Sequence, residues 1–208
     1  MNQEVIQMND TFPYLASMTR EPFLFYEMRA TARIYTEGLS DEEIIEKIIN
    51  ENAFQYPTER SLKQIGTGCL KRLHALNNDS LVEVIAHQSV EVAKQACLYA
   101  MMRYNRLVWE FMISVIGSKY NAGDRNFSKM DLSVFFMQLQ EQNDVVATWS
   151  DSTIQKIKQI LCRILVECEY LDNIKSETLN PVYLYPELEN AIRENGDYIA
   201  LAAFNCFA

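Results

Sequence analysis

The chain has 208 residues, 49% of them apolar and 23% charged, with 6 glycines, 5 prolines and a formal net charge of −9. That length buries one large or two small cores, and so little Gly and Pro amid so much apolar residue excludes a disordered or low-complexity chain and favours helices. No run reaches the roughly 18 apolar residues of a bilayer span, and five cysteines without a C-x-x-C suggest neither a disulfide framework nor a zinc knuckle.

The opening segment MNQEVIQMND carries acids and lacks signal architecture, so the expected compartment is the reducing cytoplasm. A first helix is expected over residues 21–37, limited by Pro22 and stopped by Gly38. Ser40 followed by Glu43 reads as a capping box opening a short amphipathic helix that ends near Asn52. After Pro57 and Thr58, residues 60–76 place Leu62, Ile65, Cys69, Leu70 and Leu73 on one side of a helix. Arg60, Lys63, Lys71 and Arg72 fall largely on the other side, as a basic wet face. These two helices and their short link resemble a helix-turn-helix. Gly66 and Gly68 weaken the second helix by about 1 kcal/mol each relative to alanine, which implies close packing or a break.

Residues 81–117 read as buried helix with a break near residues 103–105, and Met101, Met102, Trp109, Phe111 and Met112 as core. NAGDRN at 121–126 is a loop, Phe127, Ser128 and Lys129 are compatible with a brief strand, and residues 130–142 resume as helix. Ser150 or Asp151 caps a long helix whose apolar stripe is Ile154, Ile157, Leu161, Ile164, Leu165 and Cys168. Its opposite stripe is Ser152, Gln155, Lys156, Gln159 and Arg163, hydrogen-bonding groups with no acid among them. Short β-compatible segments around 177–180 and 181–184 follow, and Pro186 opens a last helix. Helix, short strand, two helices and a hairpin across 105–185 is the order of a winged helix. The expected fold is therefore mainly α, with an N-terminal helix-turn-helix-like bundle over residues 1–80 and a C-terminal winged-helix-like domain with a short β-hairpin over 81–208.

The net charge is unevenly spread. Residues 1–59, 60–120, 121–166 and 167–208 carry −7, +4, 0 and −6 respectively, so an acid-poor middle lies between acidic ends. Such asymmetry is compatible with a local nucleic-acid face and equally with an acidic surface that recruits proteins. Catalytic patterns are missing: two histidines 13 residues apart form no metal pair, and no phosphate-cradling or nucleophile-elbow glycine motif occurs. No enzyme, metal or cofactor is expected.

The run EVAKQACLYAMMRYNRLVWEFMISVIGSKY, then WSDSTIQKIKQILCRILVECEYLD and PVYLYPEL, with EGLSDEEIIEKIINENAF nearer the start, resembles the BrxA family of bacterial BREX phage-defence islands. The resemblance covers about residues 20–190, and the W-S-x-S-T helix is its most specific part. It implies a cytoplasmic protein without catalytic residues, encoded beside a DNA methyltransferase, a phosphatase-like protein and a large ATPase. It also implies a helical fold likened to an RNA-binding antitermination factor, with affinity for DNA. The family is sometimes labelled an inner-membrane protein, which conflicts with the absence of a spanning segment in this sequence. The first expectation is a DNA-binding accessory protein that uses Ser152, Gln155, Lys156, Gln159 and Arg163, with Arg60, Lys63, Lys71 and Arg72 adding phosphate contacts. An adaptor among defence proteins and an RNA-binding helical protein are the alternatives.

Overall fold

The computed structural model describes residues 13–207, so the acidic opening segment lies outside the described residues. Among them eleven α-helices form: α1 (Phe25–Tyr35), α2 (Asp41–Asn50), α3 (Glu59–Leu76), α4 (Asp79–His87), α5 (Val90–Tyr104), α6 (Arg106–Glu110), α7 (Ser118–Asn121), α8 (Lys129–Gln142), α9 (Asp144–Ala147), α10 (Asp151–Glu167) and α11 (Pro186–Glu194). A π-helical segment, Phe111–Gly117, joins α6 to α7, and 3₁₀ turns occupy Ala16–Thr19 and Tyr198–Phe204. The described residues divide into two compact units, one of residues 23–104 and 185–195 and the other of 13–22, 105–184 and 196–207. We call them the α1 unit and the α10 unit. Packing runs across the expected boundary at residue 80, since α4 and α5 pack on α1 and α3.

In the α1 unit the local signals act as expected. Ser40 and Glu43 form a reciprocal capping box, with the Ser40 N–H donating to Glu43 Oε2 at 2.8 Å and the Glu43 N–H to Ser40 Oγ at 3.3 Å. Thr58 caps α3, and Ile34, Ile44, Ile48, Leu62 and Leu70 form one apolar cluster. The helix runs unbroken through its glycines because Gly66 admits Ile45 and Ile48, whose terminal methyls would lie 3.0 and 3.1 Å from an added Cβ. α3 packs against α1, α2 and α5 and buries Leu62, Ile65, Cys69, Leu70, Leu73 and Leu76, which makes it the central helix of the unit.

Arginines supply a second layer of order. Arg29 Nη2 and Arg33 Nε donate to the carbonyls of Gln88 and Ala86 at the end of α4, at 2.6 and 3.1 Å. Arg103 Nε donates to Ala75 O at 2.6 Å near the end of α3, where the Asn195 side chain also donates to Leu76 O at 2.9 Å. Guanidinium and amide groups thus satisfy carbonyls that a helix leaves open at its C-terminus, where the dipole favours a cation.

In the α10 unit, Asn105 makes the break expected near residues 103–105. Its side chain accepts from the Leu107 N–H and donates to Leu15 O, both at 3.1 Å. Tyr14 is fastened to α6 by donating to Glu110 Oε1 at 2.7 Å, while the Arg106 guanidinium lies 4.8 Å from the Tyr14 ring centroid. The π segment and α7 end at a loop, and α8 then opens on a capping box between Ser128 and Asp131. Ser150 caps α10, which buries Ile154, Ile157, Ile160, Leu161, Ile164 and Leu165. Tyr170 is fully buried and donates to Ala203 O at 3.0 Å, tying the chain after α10 to the final 3₁₀ turn.

The winged-helix expectation is corrected: no strand occurs among the described residues, and the segments 177–180 and 181–184 do not form a hairpin. Residues 177–179 instead pair once with the loop before α8, through an antiparallel bridge between Asn126 and Thr178. Phe127 N donates to Glu177 O at 2.9 Å and Leu179 N to Arg125 O at 2.7 Å. Pro181 brings no N–H to extend a ladder, and Pro186 starts α11 five residues later, so too little chain remains for a second strand.

Candidate nucleic-acid interface

All five residues expected on the wet face of α10 are exposed: Ser152, Gln155, Lys156, Gln159 and Arg163. The structure brings three of them together. Gln155, Gln159 and Arg163 line a groove of about 470 Å³ between α10 and α8, whereas Ser152 and Lys156 lie on the helix outside it. The groove gains two cations absent from the expected set, Lys129 from the start of α8 and Lys158 from α10. Lys158 Nζ donates to Ser133 Oγ at 3.2 Å and lies 5.7 Å from the Phe136 ring centroid, so α8 holds it. Leu132, Cys162 and Ile174 complete the wall. Burial pushes the Cys162 thiol above its ordinary pKa, with the Lys129 charge acting in the opposite direction.

No carboxylate lines this groove, and among the described residues Lys129, Lys158 and Arg163 have no acidic partner. Elsewhere in the same unit cations are matched: Arg106 pairs with Glu110 at 2.8 Å, and Lys119 with Asp131 at 2.9 Å and Asp124 at 3.3 Å. In a chain with 28 acids and 19 Lys and Arg, three unneutralised cations on one concavity create a local positive potential against the net charge. A second hollow of about 410 Å³ shares Lys129, Cys162 and Ile174 with the first and adds Lys175 beside Glu177.

The α3 residues divide differently. Arg60, Lys63 and Lys71 are exposed on α3, in the α1 unit, and so belong to a different compact unit from the groove. Arg72 is corrected: it is 2% exposed, and its Nη1 donates to Phe23 O at 3.0 Å inside the unit. Its side chain is covered by the segment that leads into α1, where Phe23 supplies the accepting carbonyl. Half of the basic block over 60–120 is thereby spent on structure, since Arg72 and Arg103 serve carbonyls and Arg106 and Lys119 serve carboxylates.

Lys129 and Lys158 escaped the sequence reading because each was judged on its own helix. Lys158 flanks the apolar stripe beside Ile157, and only the approach of α8 turns that flank into a groove wall. Among the described residues no cluster of three or more His, Cys, Asp or Glu is placed to hold a metal ion, and no helix is long and apolar enough to cross a membrane.

Comparison with known proteins agrees along most of the chain. The family model described as BrxA matches residues 12–196. A Bacillus cereus protein named "BREX protein BrxA" is 37% identical over 188 residues, covering 89% of this chain and 93% of its own length. A protein of the same name from Paramagnetospirillum magneticum is 24% identical over 171 residues, covering 82% of this chain and 85% of its own length. A crystal structure of an uncharacterized protein from Magnetospirillum magneticum superposes with a TM-score of 0.79 at 22% identity, over 92% of this chain and 97% of that one, so the fold is shared. With a family match over nearly the whole chain and a relative 37% identical, this chain belongs to the BrxA family.

Proposed function

We propose that the protein is a non-enzymatic, cytoplasmic accessory component of a BREX phage-defence system that binds DNA through α10 and the groove beside it. The relatives' names carry the system, and one observation carries the binding: Lys129, Lys158 and Arg163 converge on a concavity without a carboxylate. Their charges displace condensed counterions when phosphates approach, and exposed Lys156 extends the same face. Gln155 and Gln159 each offer a carbonyl and an amide, polar groups that suit a nucleic-acid ligand. Arg60, Lys63 and Lys71 add phosphate contacts from the α1 unit.

Fluorescence anisotropy with a labelled duplex tests this reading. The three groove cations contribute about −2.7 to the slope of log affinity against log salt, a share of the salt dependence equal to about 40-fold between 50 and 200 mM salt. Replacing Lys129, Lys158 and Arg163 by glutamine makes the slope shallower by that amount and leaves the share of Lys156 and the α3 cations. Tight binding by the triple variant, with its slope unchanged, refutes the assignment.

A different observation favours a protein partner in the same system. α8 exposes Met130, Val134 and Met137, at 69%, 39% and 54%, in one stripe at helical spacing, and methionine-rich faces adapt to partners. Under this adaptor reading, the methyltransferase, phosphatase-like protein or ATPase of the system is retained by the wild-type chain after nuclease treatment and lost by Met130→Glu with Met137→Glu.

A further inference from the structure

We infer that the α8–α10 groove seats a single unstacked nucleotide, its phosphate among Lys129, Lys158 and Arg163 and its base against the apolar wall. The inference rests on the DNA reading in taking a nucleotide as ligand and goes beyond it in naming the unit that enters. The argument begins with size. An α-helix with its side chains is about 10–12 Å across, so the two helices that flank the groove together exceed the roughly 12 Å major groove. A duplex can meet the crest of α10, where Ser152 and Lys156 stand, but it cannot bring a paired base into the hollow. The hollow itself, about 470 Å³, lies in the range of about 300–1,000 Å³ typical of small-ligand sites.

The chemistry of the wall matches the parts of a nucleotide in turn. Three cations without acidic partners among the described residues suit a phosphate. Leu132, Cys162 and Ile174 give an apolar surface for one face of a base. The carboxamides of Gln155 and Gln159 both donate and accept, as the edge of a base requires once it has left its pair. A bare inorganic anion would use the cations and leave the rest of this wall idle. The nucleotide comes either from a DNA strand, at an end or an extruded position, or from the free pool.

Two measurements on the full chain test the site. In the first, anisotropy compares a blunt duplex with the same duplex carrying a short single-stranded overhang, for wild type and for Lys129→Gln with Lys158→Gln. The overhang is expected to bind about tenfold tighter, as one added base contact allows, and the double variant to abolish that advantage. In the second, labelling of Cys162 by N-ethylmaleimide is followed by peptide mass spectrometry, with half-buried Cys206 as internal reference. Deoxyadenosine 5′-monophosphate should slow labelling at Cys162 several-fold and leave Cys206 unchanged, whereas inorganic phosphate should protect much less. Protection by the mononucleotide without any DNA binding keeps the site, assigns it to the free pool and overturns the DNA reading. Equal binding of blunt and overhang DNA with Cys162 unprotected overturns the nucleotide site and leaves the DNA reading standing. Equal protection by phosphate and mononucleotide also overturns it, since the base then contributes nothing.

Discussion

Gly66 and Gly117 pose the same steric question with different neighbours. An ideal Cβ at Gly66 lies 3.0 Å from Ile45 Cδ1 and 3.1 Å from Ile48 Cδ1, the free ends of two side chains. At Gly117 it lies 3.0 Å from Ala202 Cβ, 3.1 Å from the Ala202 carbonyl carbon and 3.3 Å from its oxygen. Helix propensity favours alanine over glycine by about 1 kcal/mol at each position. At Gly66 the isoleucine ends swing aside for about 0.5–1.5 kcal/mol, so Gly66→Ala should leave stability within about 0.5 kcal/mol of wild type. Ala202 has no rotamer to change, so Gly117→Ala must shift the 198–204 turn, an overpacking of about 1–3 kcal/mol. Because backbone atoms must move, the cost lies in the upper part of that range, about 2–3 kcal/mol, and the net loss is about 1–2 kcal/mol after the propensity gain. Urea titrations of the three proteins, followed by far-ultraviolet circular dichroism, give the differences at constant m. If Gly117→Ala is as stable as wild type, or loses less than Gly66→Ala, then mobility of the neighbouring atom is not what decides the outcome.

Other expectations follow from the same interior. Tyr170→Phe should cost about 1–2 kcal/mol by leaving Ala203 O without its buried donor, read as a shift in urea midpoint. Lys71→Gln should change stability by less than about 0.5 kcal/mol, whereas Arg72→Gln, one position on, should lose about 1–3 kcal/mol. Equal losses at the two positions in thermal melts would contradict the burial of Arg72. Burial acts to raise the Asp131 pKa, but hydrogen bonds from Lys119 and Ser128 outweigh it and hold the carboxyl below its ordinary range. The folded value is thus below the unfolded one, so the contribution is present above the unfolded pKa of about 4 and fades as pH falls through the folded value. The melting-temperature gap between wild type and Asp131→Asn should therefore narrow below about pH 4. A gap constant into strong acid would show that the ionised form contributes nothing.

What could be read from the sequence was what is decided within a few residues. Ser40 with Glu43, Thr58 before α3, Asn105 at the break and Ser150 before α10 each act on backbone groups within three positions, so local chemistry specifies them. The failures are all matters of distant partners. Thr178 pairs with Asn126, 52 positions earlier, and a β-compatible segment does not disclose whether its partner is adjacent or remote. Arg72 sits in a helix pattern where any arginine looks wet, and only the arrival of Phe23 O gives it an interior role. Part of the groove was legible for the same reason: Gln155, Gln159 and Arg163 share the face of one helix, while Lys129, Leu132 and Ser133 come from another.

The last helix bears on how the protein is made. α11 buries Leu188, Ala191 and Ile192 and packs on α4 and α5 of a unit whose other helices end at Tyr104. The intervening 80 residues build the other unit, and at about 5–20 residues per second they take about 4–16 s to synthesise. Throughout that interval the nascent α1 unit has its helices but not its closing piece, and Leu76 O waits for the Asn195 amide. Helix docking is far faster than this delay, so translation rather than diffusion sets when the first-made unit is finished. A chain released before residue 185 therefore presents an apolar seat to holdases and proteases, and chains extended past residue 195 escape that triage.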